Sequence, residues 1–176
     1  VATDNTRIYD EVVSFGGKAI MTGSYHKSGT DRIEEAYRKI GKEFDVVINV
    51  QGDEPFIHPS QIVSIMECFA SDDTQIATLG KRFESMESVE NANSPKIVTD
   101  NKGYAMYFSR SVIPYVRSKE RNEWINAFPF LKHIGMYAYR SGVLKEITKI
   151  EQSPLEIAES LEQLRWLQNG YKIKVG

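Results

Sequence analysis

With one cysteine, Cys68, in 176 residues, the chain has no partner for an intrachain disulfide and too few thiols for a cysteine zinc cluster. Cys68 lies among Ile65, Met66 and Phe69 at helical spacing, which predicts a buried, inert thiol. No apolar run reaches membrane-spanning length and no signal peptide is legible, so a membrane partner is excluded and a cytoplasmic protein is expected. Positive charge is not in excess either: 22 Lys and Arg stand against 24 Asp and Glu, a net charge of -2. That balance argues against nucleic acid as a partner and leaves room only for a local basic pocket for phosphates. Neither G-x-x-x-x-G-K-[ST] nor G-x-G-x-x-G occurs, so the glycine-rich phosphate loops are absent. Repeats, low-complexity tracts and composition breaks are also lacking, which predicts one domain over residues 1–176.

What is present is an ordinary globular composition, 41% hydrophobic and 26% charged, with alternating helical and strand periods. Residues 5–15 read as a helix with Ile8, Val12 and Phe15 on one face, and residues 18–22 as a short strand. Residues 30–40 form a second helix with Ile33, Tyr37 and Ile40 inward and Gly41 as its stop. A β-branched strand follows, ending at Gln51. Residues 59–70 form a third helix opened by Pro59, with Ile62, Ile65, Met66 and Phe69 apolar, and residues 75–80 another strand. Residues 96–99 and 104–108 flank Asp100-Asn101-Lys102-Gly103 as a hairpin. The polar stretch 117–126 reads as a loop or mobile excursion. Its margin, Trp124, Ile125, Phe128 and Phe130, is either core lining or an interface. Residues 133–139 alternate, with Ile134, Met136 and Ala138 opposite His133, Gly135, Tyr137 and Tyr139. The last helix starts at a capping box, Ser153-Pro154-Leu155-Glu156, and runs to Gly170. This rhythm predicts an α/β fold with a mostly parallel, mixed sheet and helices on both faces. The opening Val1-Ala2-Thr3-Asp4 looks like the end of a strand, and residues 171–176 look like a strand beginning.

Five segments carry polar groups in places where chemistry is possible. In Val46-Val47-Ile48-Asn49-Val50-Gln51-Gly52-Asp53-Glu54-Pro55 a buried strand stops at Gly52 and delivers Asp53 to the carboxyl edge of the sheet, where such folds bind ligands. A carboxylate beside a glycine there suits Mg²⁺ carrying substrate phosphates; an acidic turn is the plainer alternative. Ser28, Thr30 and the backbone N–H groups in His26-Lys27-Ser28-Gly29-Thr30-Asp31-Arg32 suit an anion or a nucleotide's polar edge, or simply cap a helix. Arg110, after a strand, can grip a carboxylate through two parallel hydrogen bonds or form a surface ion pair. His133 and Tyr137 share a strand face, facing either a polyhydroxylated ligand or the core. Glu156, Glu159 and Gln163 lie at helical spacing on the last helix, where Glu156 also has work as a cap.

The chain resembles a known family in five ordered blocks. They are Q-G-D-E-P at residues 51–55, H-x-S-G-T-[DE]-R at 26–32, G-Y-A-x-Y-F-S-R at 103–110, H-x-G-x-Y at 133–137 and S-P-L-E-x-x-E-x-L-E-Q-L-R at 153–165. Together they are similar to the 3-deoxy-D-manno-octulosonate (Kdo) cytidylyltransferases, over almost the whole chain. The resemblance implies a Rossmann-like nucleotide-diphospho-sugar transferase fold, a homodimer, Mg²⁺ as cofactor, and CTP and Kdo as substrates. The implied reaction yields CMP-Kdo and pyrophosphate for lipopolysaccharide synthesis. It implies Asp53 and Gln51 as catalytic residues, with Asp53 the metal ligand. Arg110, His133, Tyr137, Glu156 and Gln163 fall on the sugar side, with Glu159 beside them. Ser28, Thr30, Arg32 and Gly52 fall on the nucleotide side. The family also has an opening strand unit with a basic loop and a later aspartate, neither of which matches residues of this chain, so these residues alone are expected to be inactive. A sialic acid cytidylyltransferase, or a non-catalytic sugar- or nucleotide-binding fragment, is the alternative.

Overall fold

The computed structural model describes residues 1–52, 54 and 56–176. Most helix boundaries fall where the sequence carries caps. Asn5 opens α1 (Thr6–Ser14) by accepting the Arg7 N–H, and Ser28 opens α2 (Gly29–Ile40) by accepting the Asp31 N–H. Gly41 ends α2 in the left-handed region, at φ 66°. His58 and Gln61 form a reciprocal cap for α3 (Pro59–Glu67), which tightens into a 3-10 turn over Cys68–Ala70.

Two short strands, β1 (Ala2–Thr3) and β2 (Ile20–Met21), pair in parallel. The main sheet contains β3 (Val46–Asn49), β4 (Ile76–Arg82), β5 (Lys96–Thr99), β6 (Ala105–Ser109), β7 (Leu131–Arg140) and β8 (Ile173–Val175). Strand β7 is antiparallel to β3, β4 and β5, while β4 and β8 pair in parallel and β5 and β6 form the hairpin. Thus β3, β4, β5 and β8 share one direction, and β7, threaded between them, makes most of the hydrogen-bonded pairs antiparallel. The hairpin turn forms as the sequence requires: Asp100 Oδ1 accepts the Lys102 and Tyr104 N–H groups at 2.8 Å each, and Gly103 takes φ +76°.

β7 has one irregularity that shapes the site. Its partners on β4 jump from Tyr137 to Ile134 between Thr78 and Leu79. On its other edge β3 ends opposite Tyr137 and β5 begins opposite Lys132. The strand therefore bulges around Gly135, a device found beside active sites because it re-aims side chains. Thr78 stitches the bulge. Its hydroxyl lies 2.8 Å from the Met136 carbonyl and 3.1 Å from that of Ile134, the acceptors freed by the lost ladder.

Alternation along β7 divides the core as expected. Tyr137 and Tyr139 face one layer with Ile76, Leu144, Leu164 and Trp166, while Met136 and Ala138 face the other with Ile65, Phe69 and Leu79. Cys68 is buried in that second layer as a free thiol, and burial pushes its pKa up. The first layer is closed by α6 (Ser141–Ile147), α7 (Pro154–Glu159) and α8 (Gln163–Gln168).

Three expectations need correction. The final helix is two helices, broken at Ser160, which sits in the left-handed region at φ 50°. The break lets Leu161, Leu164 and Trp166 all turn into the core and sends Glu159 and Glu162 to different partners, so helical spacing across 159–163 does not apply. The stretch 117–126 is anchored rather than loose. A 3-10 turn over Arg121–Glu123 leads into α5 (Trp124–Ala127), and Trp124 and Phe130 are buried against Phe83 and Val89, the latter on α4 (Met86–Glu90). Its aromatic margin is core lining. Lastly, Ile40, read as inward, is exposed, as are Ile8 and Phe15 of the α1 apolar face and Ile62 and Met66 of α3. On α1 only Val12 is buried.

Candidate active site

The carboxyl end of β3 and the N-terminus of α2 meet. A Cβ at Gly29 would lie 3.6 Å from Gln51 Oε1 and 3.7 Å from Asn49 Nδ2, so the nucleotide-side and catalytic candidates share one locus. Asn49 is buried, and its Nδ2 has no hydrogen-bond partner among the described residues. Gly52 is exposed, with open space where a side chain would project. Asp53, the expected metal ligand, lies outside the described residues.

Thr30 is buried, and its hydroxyl donates to Glu162 Oε2 at 2.8 Å and lies 3.4 Å from the Tyr139 hydroxyl. Glu162 also receives Arg165 Nη2 at 2.6 Å; burial nevertheless raises its pKa. Between Ser28 and the 148–152 loop opens a cavity of about 200 Å³, with Asp31, Gln152, Glu156 and Arg165 on its wall. Glu156 is occupied structurally. It accepts the Ser153 N–H and Gln152 Nε2 at 3.3 Å each and pairs with Arg165 Nε at 3.4 Å.

The second group lies along the β7 floor. His133 meets Thr78 Oγ1 through Nε2 at 3.0 Å and packs edge-on to Phe108 at 5.2 Å and beside Tyr137 at 5.3 Å. Burial holds its pKa down to about 4, so it is a neutral imidazole at neutral pH. Tyr137 is buried, with its hydroxyl unpartnered among the described residues, as is Gln163 Nε2. Burial raises the Tyr137 pKa well above that of an ordinary phenol, so the hydroxyl stays protonated. Between His133 and Tyr137, on the same strand face, a Cβ on Gly135 would meet nothing within 4 Å. There is thus room at Gly135 on this strand face, while Tyr137 Oη and Gln163 Nε2 are enclosed beneath it without a partner among the described residues.

Two arginines read as ligand contacts are turned elsewhere. Arg110 donates to the carbonyls of Glu159 at 2.6 Å, Ala92 at 3.0 Å and Ser160 at 3.2 Å. Glu159 in turn accepts the Ser109 hydroxyl and the Arg110 N–H, locking the α7–α8 elbow to β6. Arg32 reaches Thr22 Oγ1 at 2.7 Å and Asp4 at 3.2 Å, tying the β1 and β2 ends together. Sequence reasoning missed Asn49, Tyr139, Glu162 and Glu35. A polar residue ending a β-branched run was a signal for Asn49; nothing local marks Glu162, whose partner Thr30 is 132 positions away.

Comparison with known proteins adds a common pattern. A family model described as Cytidylyltransferase matches residues 1–173. A 3-deoxy-manno-octulosonate cytidylyltransferase of Parabacteroides distasonis is 61% identical over all of this chain and 72% of its own length. Its namesake in Bacteroides thetaiotaomicron is 58% identical, again over all of this chain and 72% of the relative. A solved structure of CMP:2-keto-3-deoxy-manno-octonic acid synthetase complexed with CTP superposes with a TM-score of 0.90 at 41% identity, covering 100% of this chain and 70% of that one.

Proposed function

The chain belongs to the cytidylyltransferase family, and we propose that its protein transfers CMP from CTP to Kdo, giving CMP-Kdo and pyrophosphate. The observation that carries this is identity of up to 61% along the whole chain to relatives bearing that activity in their names. The fold match to a CTP complex supports CTP as the nucleotide. A sialic acid acceptor is not favoured, since the relatives are named for Kdo.

The reaction joins a sugar hydroxyl to the α-phosphorus of CTP with pyrophosphate leaving, so the protein's work is positioning and charge management. Gln51, at the meeting of β3 and α2, stands between the two substrates with Asn49 behind it. Ser28, Thr30 and Gly52 form the nucleotide side, where free N–H groups of α2 favour an anion. Arg32 braces that side through Thr22 and Asp4. His133, Tyr137 and Gln163 form the sugar side; Tyr137 O–H and Gln163 Nε2 donate to sugar oxygens that replace the water they would otherwise hold. Arg110 and Glu156 belong to the same side and hold its walls in this conformation.

Mg²⁺ would neutralise phosphate charge and acidify the attacking hydroxyl. Among the described residues no group of three or more His, Cys, Asp and Glu side chains could hold a metal. In this reading Asp53 is this chain's ligand to Mg²⁺, with the family's later aspartate, phosphates and water among the others. A homodimer is part of this reading, as is a cytoplasmic setting, to which the single free thiol is suited. Among the described residues no helix is long and apolar enough to cross a membrane.

The test is pyrophosphate release by the full-length protein from CTP and Mg²⁺, with Kdo or N-acetylneuraminate as acceptor, beside its Asp53→Asn variant. Turnover with Kdo alone, lowered at least about a hundredfold in the variant, is expected. Turnover with N-acetylneuraminate overturns the acceptor, and an unimpaired variant overturns the role of Asp53.

A further inference from the structure

We infer that Glu35 is a positioning residue for the nucleotide side, acting through the segment 23–28 that leads into α2. The inference rests on the reading of Ser28 and Thr30 given above. Glu35 lies two turns into α2 and is 5% exposed, a burial rare for a carboxylate unless it is fully paired. Its Oε2 accepts the Gly23 N–H at 3.0 Å, faces the Tyr25 hydroxyl at 3.5 Å and meets His26 Nε2. Its other oxygen pairs with Lys39 at 2.7 Å, and Lys39 continues to the Met21 carbonyl at 2.8 Å. Lys39, the Gly23 N–H and His26 together hold the carboxyl down to about 2, so the group is an anion across the working range of pH.

This network reaches back from the body of the helix and ties down Gly23, Tyr25 and His26 of the chain before it. His26 stands two residues before Ser28, whose hydroxyl caps α2, and four before Thr30, which reaches across to Glu162. Without Glu35, the segment 23–28 loses its shared acceptor, and Ser28 and the first free N–H groups of α2 lose their fixed direction. Among the described residues Glu35, Lys39 and His26 make no hydrogen bond to β7 or α8; the two sides meet through Thr30, whose hydroxyl contacts Tyr139 and Glu162. The sugar side, held by its own elements, should follow a change at Glu35 far less than the nucleotide side.

Steady-state kinetics of the full-length protein test this with Glu35→Ala, Glu35→Gln, Lys39→Met and Ser28→Ala, each checked for thermal stability. Glu35→Ala should raise KM for CTP about tenfold, the scale of one lost charge-assisted hydrogen bond, and leave KM for Kdo within about twofold. Glu35→Gln keeps an acceptor for the Gly23 N–H and should recover part of the loss; it also serves if the alanine variant fails to fold. Lys39→Met removes the ammonium and its contact to the Met21 carbonyl but leaves the Gly23, Tyr25 and His26 contacts of Glu35, and should change KM for CTP far less. Equal rises in both KM values, no change in either, or a Lys39→Met variant as impaired as Glu35→Ala would overturn the inference. Ser28→Ala separates the two claims. If it raises KM for CTP while Glu35→Ala does not, the positioning role fails alone; if Ser28→Ala changes nothing, the nucleotide-side reading fails with it.

Discussion

Around the entrance to α2, most polar groups are paired several times over, Asn49 Nδ2 excepted: buried Glu35 has four partners and buried Thr30 two, and half-buried Arg32 spans three others. Along the floor beside β7, Tyr137 Oη and Gln163 Nε2 are equally buried and have none among the described residues. A satisfied network resists rearrangement, because losing any partner strands a desolvated group. An unsatisfied one carries a cost that only water or a ligand removes. The contrast separates scaffold from contact surface within one cleft. It also explains why arginines that look like ligand grips, Arg32 and Arg110, belong here to the paired class.

The largest blow to this contrast should come from removing the wall both regions lean on. Trp166 is fully buried, edge-on to Tyr137 at 5.2 Å and to Tyr139 at 5.6 Å. Trp166→Ala should cost about 3–5 kcal/mol in urea denaturation, and a loss below about 1 kcal/mol would mean that the floor is not held from α8.

Next comes pH. The folded-state pKa of His133, about 4, lies below its ordinary value of 6.5, so the unfolded chain binds the proton more readily. Stability contributed by the neutral ring is complete above about pH 6.5 and is lost as pH falls toward 4, up to about 3 kcal/mol. Chemical denaturation of wild type and His133→Asn across that window should show the variant with a flatter profile. Parallel profiles would place the titration elsewhere.

The smallest effect on stability is expected from Tyr137→Phe. Deleting an unpartnered buried hydroxyl should change unfolding free energy by less than about 1 kcal/mol, while kcat/KM with Kdo falls about tenfold. A large stability loss with unchanged kinetics would move Tyr137 into the scaffold.

Local chemistry carried much of this into the sequence. The caps at Ser28 and Ser153, the stop at Gly41, the Asp100–Gly103 turn and the two-sided alternation of β7 are short-range effects, and the structure realises each of them. In the fold, Gly29 of the 26–32 block lies beside Gln51 and Asn49, and Asn49 pairs with Tyr137 of the 133–137 block. The break at Ser160 was not legible, since neither glycine nor proline marks it. Packing of Leu161, Leu164 and Trp166 outweighs the local preference for an unbroken helix. Nor could residue spacing say which charged groups are spent internally. The Arg110 donors find their carbonyls up to 50 positions away, and Glu162 meets Thr30 across 132. By itself, then, the sequence determined the elements, the family and the neighbourhood of the chemistry, because these follow from backbone preferences and contiguous motifs. The tertiary structure alone decided which polar groups are paired and which remain open to a ligand, because that depends on side chains meeting across the folded chain.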